Sequence, residues 1–259
     1  MSYRTILFEL KERVARVSFN RPEVHNAFND VMIEELLDAF KKARDKDIRV
    51  VVLTGKGKSF CAGADINWMR RVKDYTYEEN LKESLDLAQL FYEIYSLPKP
   101  VIARVNGAAI GGGTGFVAVS DIAIASSYAK FSFSEVRIGL VPACISPYVV
   151  RKVGEGRARE LFLTGERISA QKALELGLVN GVAEPEELDK RMEEILQNIL
   201  KCGPSALATC KELLRNVPGM DFERVRRYTA EVIAKLRISE EGQEGMSAFL
   251  EKRTPKWVE

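Results

Sequence analysis

Histidine is almost absent from this chain, since His25 is the only one among 259 residues. A Ser–His or Cys–His nucleophilic relay would depend on that single side chain, and a metal site built from several histidines is excluded. The four cysteines show neither CxxC spacing nor a pairing pattern, which favours reduced and mostly buried thiols. These shortages remove a large class of hydrolases, and no metal site is expected.

An excess of one charge and long apolar runs are also missing. The chain has 39 Lys and Arg against 37 Asp and Glu, a net charge of +2, so neither nucleic acid nor an anionic membrane is expected as a partner. Its longest apolar runs, such as 138–145, are far too short to span a membrane. The first five residues lack the apolar core of a signal peptide, so the predicted location is cytoplasmic.

Glycine, in contrast, is dense at one place in the chain. Five glycines fall within residues 106–115, between an apolar run over 101–105 and another that begins at Phe116. This order predicts a strand, a glycine-rich turn and a helix over 114–120. The first N–H groups of such a helix have no partner within it and favour an anion.

A second segment of small residues, 60–66, follows the apolar, β-branched run 50–53. Because each of the two loops can supply a backbone N–H, their convergence would form an oxyanion hole for a carbonyl oxygen. The alternative is that the glycines only permit close packing of a strand against a helix. The spacing alone does not choose between these two interpretations.

Carboxylates are the candidates for acid/base work in a chain with so little histidine. Glu135 lies on an apolar stretch over 131–138, where loss of solvation would raise its pKa toward a useful range. The alternative, a solvated glutamate near a helix start, is the commoner situation for this residue type. Asp65 is a second candidate, but it can equally cap the helix that follows it.

The remaining pattern is α/β first and helical later. A helix is predicted over 72–97 and ends before Pro98 and Pro100, and strand-then-helix units recur over the first 140 residues. After Ile145 the pattern is mostly helical, with one short strand over 178–183. The predicted division is therefore a core over residues 1–195 and a helical region over 196–259.

Four ordered segments together resemble the enoyl-CoA hydratase/isomerase (crotonase) superfamily. They are residues 20–28 with Asn-Arg-Pro and Asn-Ala-Phe, residues 60–66, the glycine stretch at 106–113, and residues 244–253. Any one of these motifs would be a weak signal, but four of them at the family's spacing cover nearly the whole chain. The resemblance implies a crotonase-like spiral of ββα units with a C-terminal helical trimerisation region.

The same resemblance implies an acyl-CoA substrate, with coenzyme A as part of the substrate and no separate cofactor. It implies a homotrimer or a dimer of trimers as the assembly. The N–H groups of Ala64 and Gly112 would bind the thioester oxygen, and Glu135 would be the catalytic acid/base. The implied substrate-binding residues are Val24, Asn26, Ala27, Ala62, Asp65, Ile66, Gly111, Gly115, Phe249 and Lys252.

One position departs from the family's usual pattern. Typical hydratases of the family use two glutamates, and Gly115 stands at the first of the two positions while Glu135 stands at the second. The resemblance implies reversible syn addition of water to a 2-enoyl-CoA with a single glutamate. Two alternatives stay open: a Δ3-Δ2 enoyl-CoA isomerase, and a non-catalytic acyl-CoA-binding protein.

Several shorter segments resemble a bacterial subgroup that includes methylglutaconyl-CoA hydratases of leucine breakdown. These segments are residues 66–69, 113–118, 134–140 and 145–149. A substrate with a second carboxylate would need a cation or a hydroxyl in the acyl pocket. The possible partners are Arg70, Arg71, Ser146 and Tyr148, although a solvated helix face or a turn explains each of them individually.

Overall fold

The computed structural model describes residues 3–258, so Met1, Ser2 and Glu259, at the outer ends of the two predicted regions, lie outside it. Within these residues the chain forms ten strands: β1 (Ile6–Lys11), β2 (Val14–Phe19), β3 (Val50–Gly55), β4 (Ser59–Cys61), β5 (Val101–Val105), β6 (Ala108–Ile110), β7 (Ile122–Ser126), β8 (Lys130–Ser132), β9 (Ile168–Ser169) and β10 (Gly181–Ala183). The same residues form eleven α-helices: α1 (Asp30–Lys42), α2 (Ile66–Val72), α3 (Tyr77–Ser96), α4 (Gly112–Val119), α5 (Ser146–Val153), α6 (Glu155–Thr164), α7 (Ala170–Glu175), α8 (Leu188–Leu200), α9 (Pro204–Asn216), α10 (Phe222–Ile238) and α11 (Glu240–Glu251).

The strands form two sheets that the chain visits in turn. The larger sheet has the order β1-β2-β3-β5-β7-β10, and the smaller sheet has the order β4-β6-β8-β9. The pairs β3–β4, β5–β6 and β7–β8 each place their first strand in the larger sheet and their second strand in the smaller one. Helices follow each pair, so the chain advances by ββα units. The predicted α/β spiral is confirmed.

The larger sheet is covered on both faces, which explains its continuous apolar strands. All six residues of β3 are buried. Side chains from one face of this sheet join the main core, while Val50, Val52 and Ile102 on the other face pack against Met192 and Leu196 of α8. A parallel sheet with both faces buried requires the run of β-branched residues seen at 50–53.

The smaller sheet brings two distant segments together. In the parallel pair β4–β6, Ser59 lies opposite Ala108 and Cys61 lies opposite Ala109. Directly after β6, the backbone of α4 passes so close to β4 that a Cβ on Gly113 would overlap the carbonyl oxygen of Cys61. Only glycine permits this approach. The ends of β4 and β6 are therefore held side by side.

Some predicted boundaries were wrong. The helix predicted over 72–97 begins later than expected, because α2 ends at Val72 and Thr76 forms a capping box with Glu79 that begins α3 at Tyr77. Strand β6 lies inside the glycine stretch, and α4 begins at Gly112 and not at residue 114. The sequence analysis also missed α5, whose second residue is Pro147, and the edge strand β1. A proline in the first helical turn needs no N–H there, so Ser146 begins a helix and not a turn.

The C-terminal helices are present as predicted and leave much apolar surface exposed. Leu214, Phe222, Ile238, Phe249 and Leu250 are each more than 70 % exposed. The predicted division at residue 195 falls inside α8, and the next turn between helices is at residues 201–203. No helix among residues 3–258 is long and apolar enough to cross a membrane. The trimer remains a prediction.

We expect Gly113→Ala to lower the free energy of unfolding by about 3 kcal/mol, since its Cβ would push against backbone that cannot rotate away. Chemical denaturation followed by circular dichroism measures the change. The matched control is Gly156→Ala in α6, where no atom lies within 4 Å of the added Cβ. That variant should be more stable than the wild type by up to about 1 kcal/mol. Equal stability of both variants would contradict the packing argument.

Candidate active site

A cavity of about 510 Å³ lies between α2, α3 and the loops that follow β4 and β6. Residues 134–145 close its remaining side. Phe28, Phe91 and Leu87 make its inner wall apolar, while Ala64, Gly112 and Glu135 contribute polar groups. This volume is within the range of small-molecule sites, and an apolar wall with few polar groups is their usual composition.

Two backbone donors face this region because their loops leave neighbouring strands. Ala64 follows β4 and Gly112 follows β6, and the pairing of those strands brings the two loops together. Neither the N–H of Ala64 nor that of Gly112 donates a hydrogen bond to any described residue. Gly63 and Gly111 have φ angles of 93° and 54°, a conformation that other residues rarely adopt. The backbone therefore turns sharply enough to leave both donors free.

Aromatic rings that pack against one another support the loop at Gly112. The ring of Phe116, on α4, lies 5.0 Å from that of Phe91 and 5.9 Å from that of Phe28. A Cβ added to Gly112 would lie 2.7 Å from the ring of Phe28. Because these side chains are buried and pack against one another, they hold the N–H of Gly112 in one position.

Glu135 lies directly beside the second loop, on a single turn of 3-10 helix over Ser134–Ile138. Its Oε1 is 3.0 Å from where a Cβ on Gly111 would stand. Its Oε2 is buried and has no hydrogen-bond partner among the described residues. Burial raises the pKa of this carboxyl, so it stays protonated to a higher pH than the carboxyl of an ordinary glutamate. The sequence-based expectation of a desolvated carboxyl matches this environment.

The cation Lys152, from α5, lies at the C-terminal end of α4. Lys152 donates hydrogen bonds to the carbonyl oxygens of Ser120, at 2.6 Å, and Val117, at 3.2 Å. Burial lowers the pKa of this ammonium to about 8, against the opposing attraction of Asp121. A cation at the C-terminal end of a helix complements its dipole, whose positive end is at Gly112. The C-terminal end of α4 is thus electrostatically matched.

Asp65 is not available for acid/base work, because its carboxylate is fully engaged. It accepts hydrogen bonds from Arg21, at 2.7 Å, and from the N–H groups of Asn67 and Trp68 at the start of α2. Burial would raise its pKa, but the bonds from Arg21 and the backbone outweigh it and leave the pKa lowered. Of the two interpretations of this residue, capping is the one that the structure confirms.

The other predicted substrate-binding residues fall into two groups. Ala62 and Gly111 line the cavity, whereas Val24, Asn26, Ala27 and Ile66 do not. Asn26 is buried and its amide donates to the carbonyl oxygens of Lys56 and Ser59, so it holds the loop together. Ile66 is 68 % exposed on the outer side of α2. Contact of these four with coenzyme A remains a prediction.

Gly115 does not line the cavity, and its contact with substrate stays a prediction. A Cβ at this position would overlap the side chain of Ile145 and lie 3.1 Å from the ring of Phe91. The space where a side chain could project is filled by these two residues. The structure thus offers no volume for a second carboxylate at residue 115.

Phe249 and Lys252 lie on α11 and its C-terminal end. Phe249 is 83 % exposed, and Lys252 ends the helix in the left-handed conformation with a φ of 55°. Neither lines the cavity of its own chain. Their predicted contact with a neighbouring subunit's substrate stays a prediction.

One face of α3 was missed by the sequence analysis and forms much of the cavity wall. Asn80, Glu83 and Ser84 line its polar end, and Leu87 and Phe91 its apolar end. Oε2 of Glu83 accepts a hydrogen bond of 2.9 Å from the indole N–H of Trp68 on α2. Glu83 and Phe91 are separated by about 12 Å along the helix. The helical spacing of residues 80, 83, 84, 87 and 91 is the sequence pattern that could have predicted this face.

The cavity thus combines a buried carboxyl group with two backbone N–H groups that have no partner among the described residues. Comparison with known proteins identifies the family. The sequence pattern of the enoyl-CoA hydratase/isomerase family matches residues 9–259. The chain belongs to the enoyl-CoA hydratase/isomerase family.

Individual relatives cover almost all of the chain. It is 36% identical to the crotonyl-CoA hydratase of Syntrophomonas wolfei, over 100% of this chain and 99% of the relative. It is 35% identical to the short-chain-enoyl-CoA hydratase of Clostridium acetobutylicum, over 98% and 97% of the two chains. A solved structure of an enoyl-CoA hydratase from Shewanella pealeana has 40% sequence identity and a TM-score of 0.96, covering 98% of this chain and 96% of that one.

The environment of Glu135 leads to a pH-dependent prediction. Because its folded-state pKa is raised, the folded chain holds this proton more tightly, and stability falls as pH rises from about 4.5 through the raised pKa. The Glu135→Gln variant has no titrating carboxyl at this position, so it does not undergo this loss of stability. We therefore expect the variant's melting temperature to exceed that of the wild type at pH 8, with the difference shrinking toward pH 4.5.

Differential scanning calorimetry across that pH range measures the difference. Glu160→Gln, at an exposed site on α6, is the matched control and should show no such trend. A constant difference between Glu135→Gln and the wild type at all pH values would contradict the raised pKa.

Proposed function

We propose that this chain is an enoyl-CoA hydratase that adds water reversibly across the C2–C3 double bond of a 2-enoyl-CoA. The observation that carries the proposal is the buried, unpartnered carboxyl of Glu135 beside the free N–H groups of Ala64 and Gly112. The relatives described as crotonyl-CoA and short-chain-enoyl-CoA hydratases support the reaction class. A purely binding protein would have no use for an unpartnered carboxyl in this position.

The proposed mechanism uses each of the three groups once. The thioester oxygen accepts hydrogen bonds from the N–H groups of Ala64 and Gly112, which draws electrons away from C3. Glu135, ionised, takes a proton from water as the water oxygen bonds to C3, and negative charge moves onto the thioester oxygen. Glu135 then returns the proton to C2 on the same face, giving syn addition. No group beyond the substrate's own coenzyme A is needed.

The cavity favours an uncharged acyl chain. Among residues 3–258, its only charged lining residues are Glu83 and Glu135, both acidic. A second substrate carboxylate would meet like charge and no cation. The chain's own lining therefore does not support 3-methylglutaconyl-CoA as the substrate, and we propose a short, neutral 2-enoyl chain.

The four residues considered for a second carboxylate are engaged elsewhere. Arg71 pairs with Asp30 at 2.8 Å, and Arg70 donates to the side chain of Asn67. Ser146 donates to the carbonyl oxygen of Ala143. The ring of Tyr148 packs 5.0 Å from that of Tyr95. None of the four lines the cavity.

A double-bond isomerase is the second candidate, and the filled space at Gly115 favours it. With Ile145 and Phe91 covering that position, Glu135 is the carboxylate that lies against the loop at Gly111. A single carboxyl can move a proton between C4 and C2 of a 3-enoyl thioester without any water. The same oxyanion hole would stabilise the intermediate.

The wild type is expected to hydrate crotonyl-CoA, seen as loss of the enoyl-thioester absorbance. Glu135→Gln should lower kcat/KM by about 10²- to 10⁴-fold, since the amide cannot accept the proton from water. Glu160→Gln again serves as control and should keep wild-type activity. If crotonyl-CoA is unchanged while a 3-enoyl-CoA is converted to its 2-enoyl isomer, the isomerase assignment replaces the hydratase.

The acidic cavity predicts a substrate preference. We expect kcat/KM for 3-methylglutaconyl-CoA to be at least about tenfold below that for crotonyl-CoA, because the extra carboxylate is repelled in a partly desolvated site. Parallel absorbance assays at fixed ionic strength measure the ratio. A higher kcat/KM for 3-methylglutaconyl-CoA would show that a cation outside this chain's own lining serves the substrate.

A further inference from the structure

A second cavity, of about 380 Å³, lies at the opposite edge of the larger sheet from the active site. Arg13, Arg49 and Pro100 in its wall directly precede β2, β3 and β5. The active-site loops, in contrast, follow strands that continue from the carboxyl ends of β3 and β5. Residues 204–208 of α9 and Trp257 cover the second cavity. The two cavities share no lining residue.

The charge of this second cavity is one-sided. Arg13, Lys46, Arg49 and Lys99 line it, and no acidic side chain among the described residues does. None of these four cations forms an ion pair within residues 3–258. Cations that are clustered away from water are normally paired with negatively charged groups.

Arg49 is the buried cation of this cavity, whereas Arg13 and Lys46 are exposed. It is 6 % exposed, and its guanidinium donates to the carbonyl oxygens of Cys202, at 2.6 Å, and Trp257, at 3.0 Å. Its Nε is buried without a partner. Burial lowers its pKa, and repulsion from Arg13 lowers it further. Neutral carbonyl groups orient this cation, but they do not cancel its charge.

The nearby carboxylates attract these cations, Glu241 acting on Arg49, but form no ion pair with them within residues 3–258. Glu241 accepts hydrogen bonds from the N–H groups of Ser205 and Ala206 and so caps α9. Lys99 donates to the backbone carbonyl of Asp45 and not to a carboxylate. Burial lowers the pKa of Lys99, against attraction from Asp45 and Asp47. Arg13 and Lys46 are exposed, and their side chains make no hydrogen bond to the described residues.

We propose that this second cavity binds a compact anion of the phosphate class, held by Arg13, Lys46, Arg49 and Lys99. Phosphate and pyrophosphate carry several charges on a small volume, and arginine and lysine are the side chains that bind them. The volume is adequate for such an anion with a small organic body, which the ring of Trp257 and the neighbouring prolines would contact. This site is independent of the hydratase reaction.

Titration calorimetry of the whole protein with inorganic pyrophosphate at low salt tests the proposal. We expect saturable binding that weakens as sodium chloride is added. The double variant Arg13→Gln/Lys46→Gln should bind at least about tenfold more weakly, because two of four cations are lost. The matched double variant Lys41→Gln/Lys82→Gln, at exposed sites outside both cavities, should bind like the wild type.

Coenzyme A itself carries phosphates, so the titration is repeated with saturating butyryl-CoA. Binding that persists places pyrophosphate outside the acyl-CoA site, and displacement by butyryl-CoA would overturn the proposal. So would the absence of heat at millimolar pyrophosphate, or equal weakening in both double variants. Should the Arg13→Gln/Lys46→Gln protein fail to fold, Lys46→Gln alone should still weaken binding several-fold, and unchanged affinity in that variant would also overturn the proposal.

Discussion

The contact between Gly113 and the carbonyl oxygen of Cys61 is the constraint on which the site depends. It holds the start of α4 against the end of β4, so the loops after β4 and β6 leave the smaller sheet side by side. Neighbouring strands are about 4.8 Å apart, which is a suitable separation for two donors that share one oxygen. The glycine stretch therefore provides close packing, and the same approach positions the two N–H groups that the proposed mechanism uses.

The electrostatics of the site follow from the exclusion of water around Gly112 and Glu135. The aromatic rings around Phe116 exclude water from beneath Gly112, and the apolar surroundings of Glu135 destabilise its ionised form. Negative charge is then most favourable at the two N–H groups and costly on the carboxyl. In the proposed mechanism, this difference favours transfer of a proton from water to Glu135 as charge develops on the thioester oxygen.

The sequence contained a good part of the fold, because buried parallel strands need apolar runs such as 50–53 and 101–105, and helices need a repeating apolar face. The environment of Glu135 was predictable for the same reason, since its neighbours are apolar. Strand β6 was not, because three small residues within a glycine stretch carry no periodic signal. Nor were the four cations of the second cavity, since residues 13, 46, 49 and 99 become neighbours only once the sheet is assembled.

The covering of Gly115 by Ile145 also bears on how this site could change over generations. Residue 115 belongs to one ββα unit and residue 145 to the next. The side chain of Ile145 nevertheless fills the space that a side chain at residue 115 would need. A lone glycine-to-glutamate change would clash before it could be useful, and a lone shortening of Ile145 would leave a void. Because a side chain at residue 115 needs a smaller residue at 145, the two positions are expected to covary among descendants of this sequence.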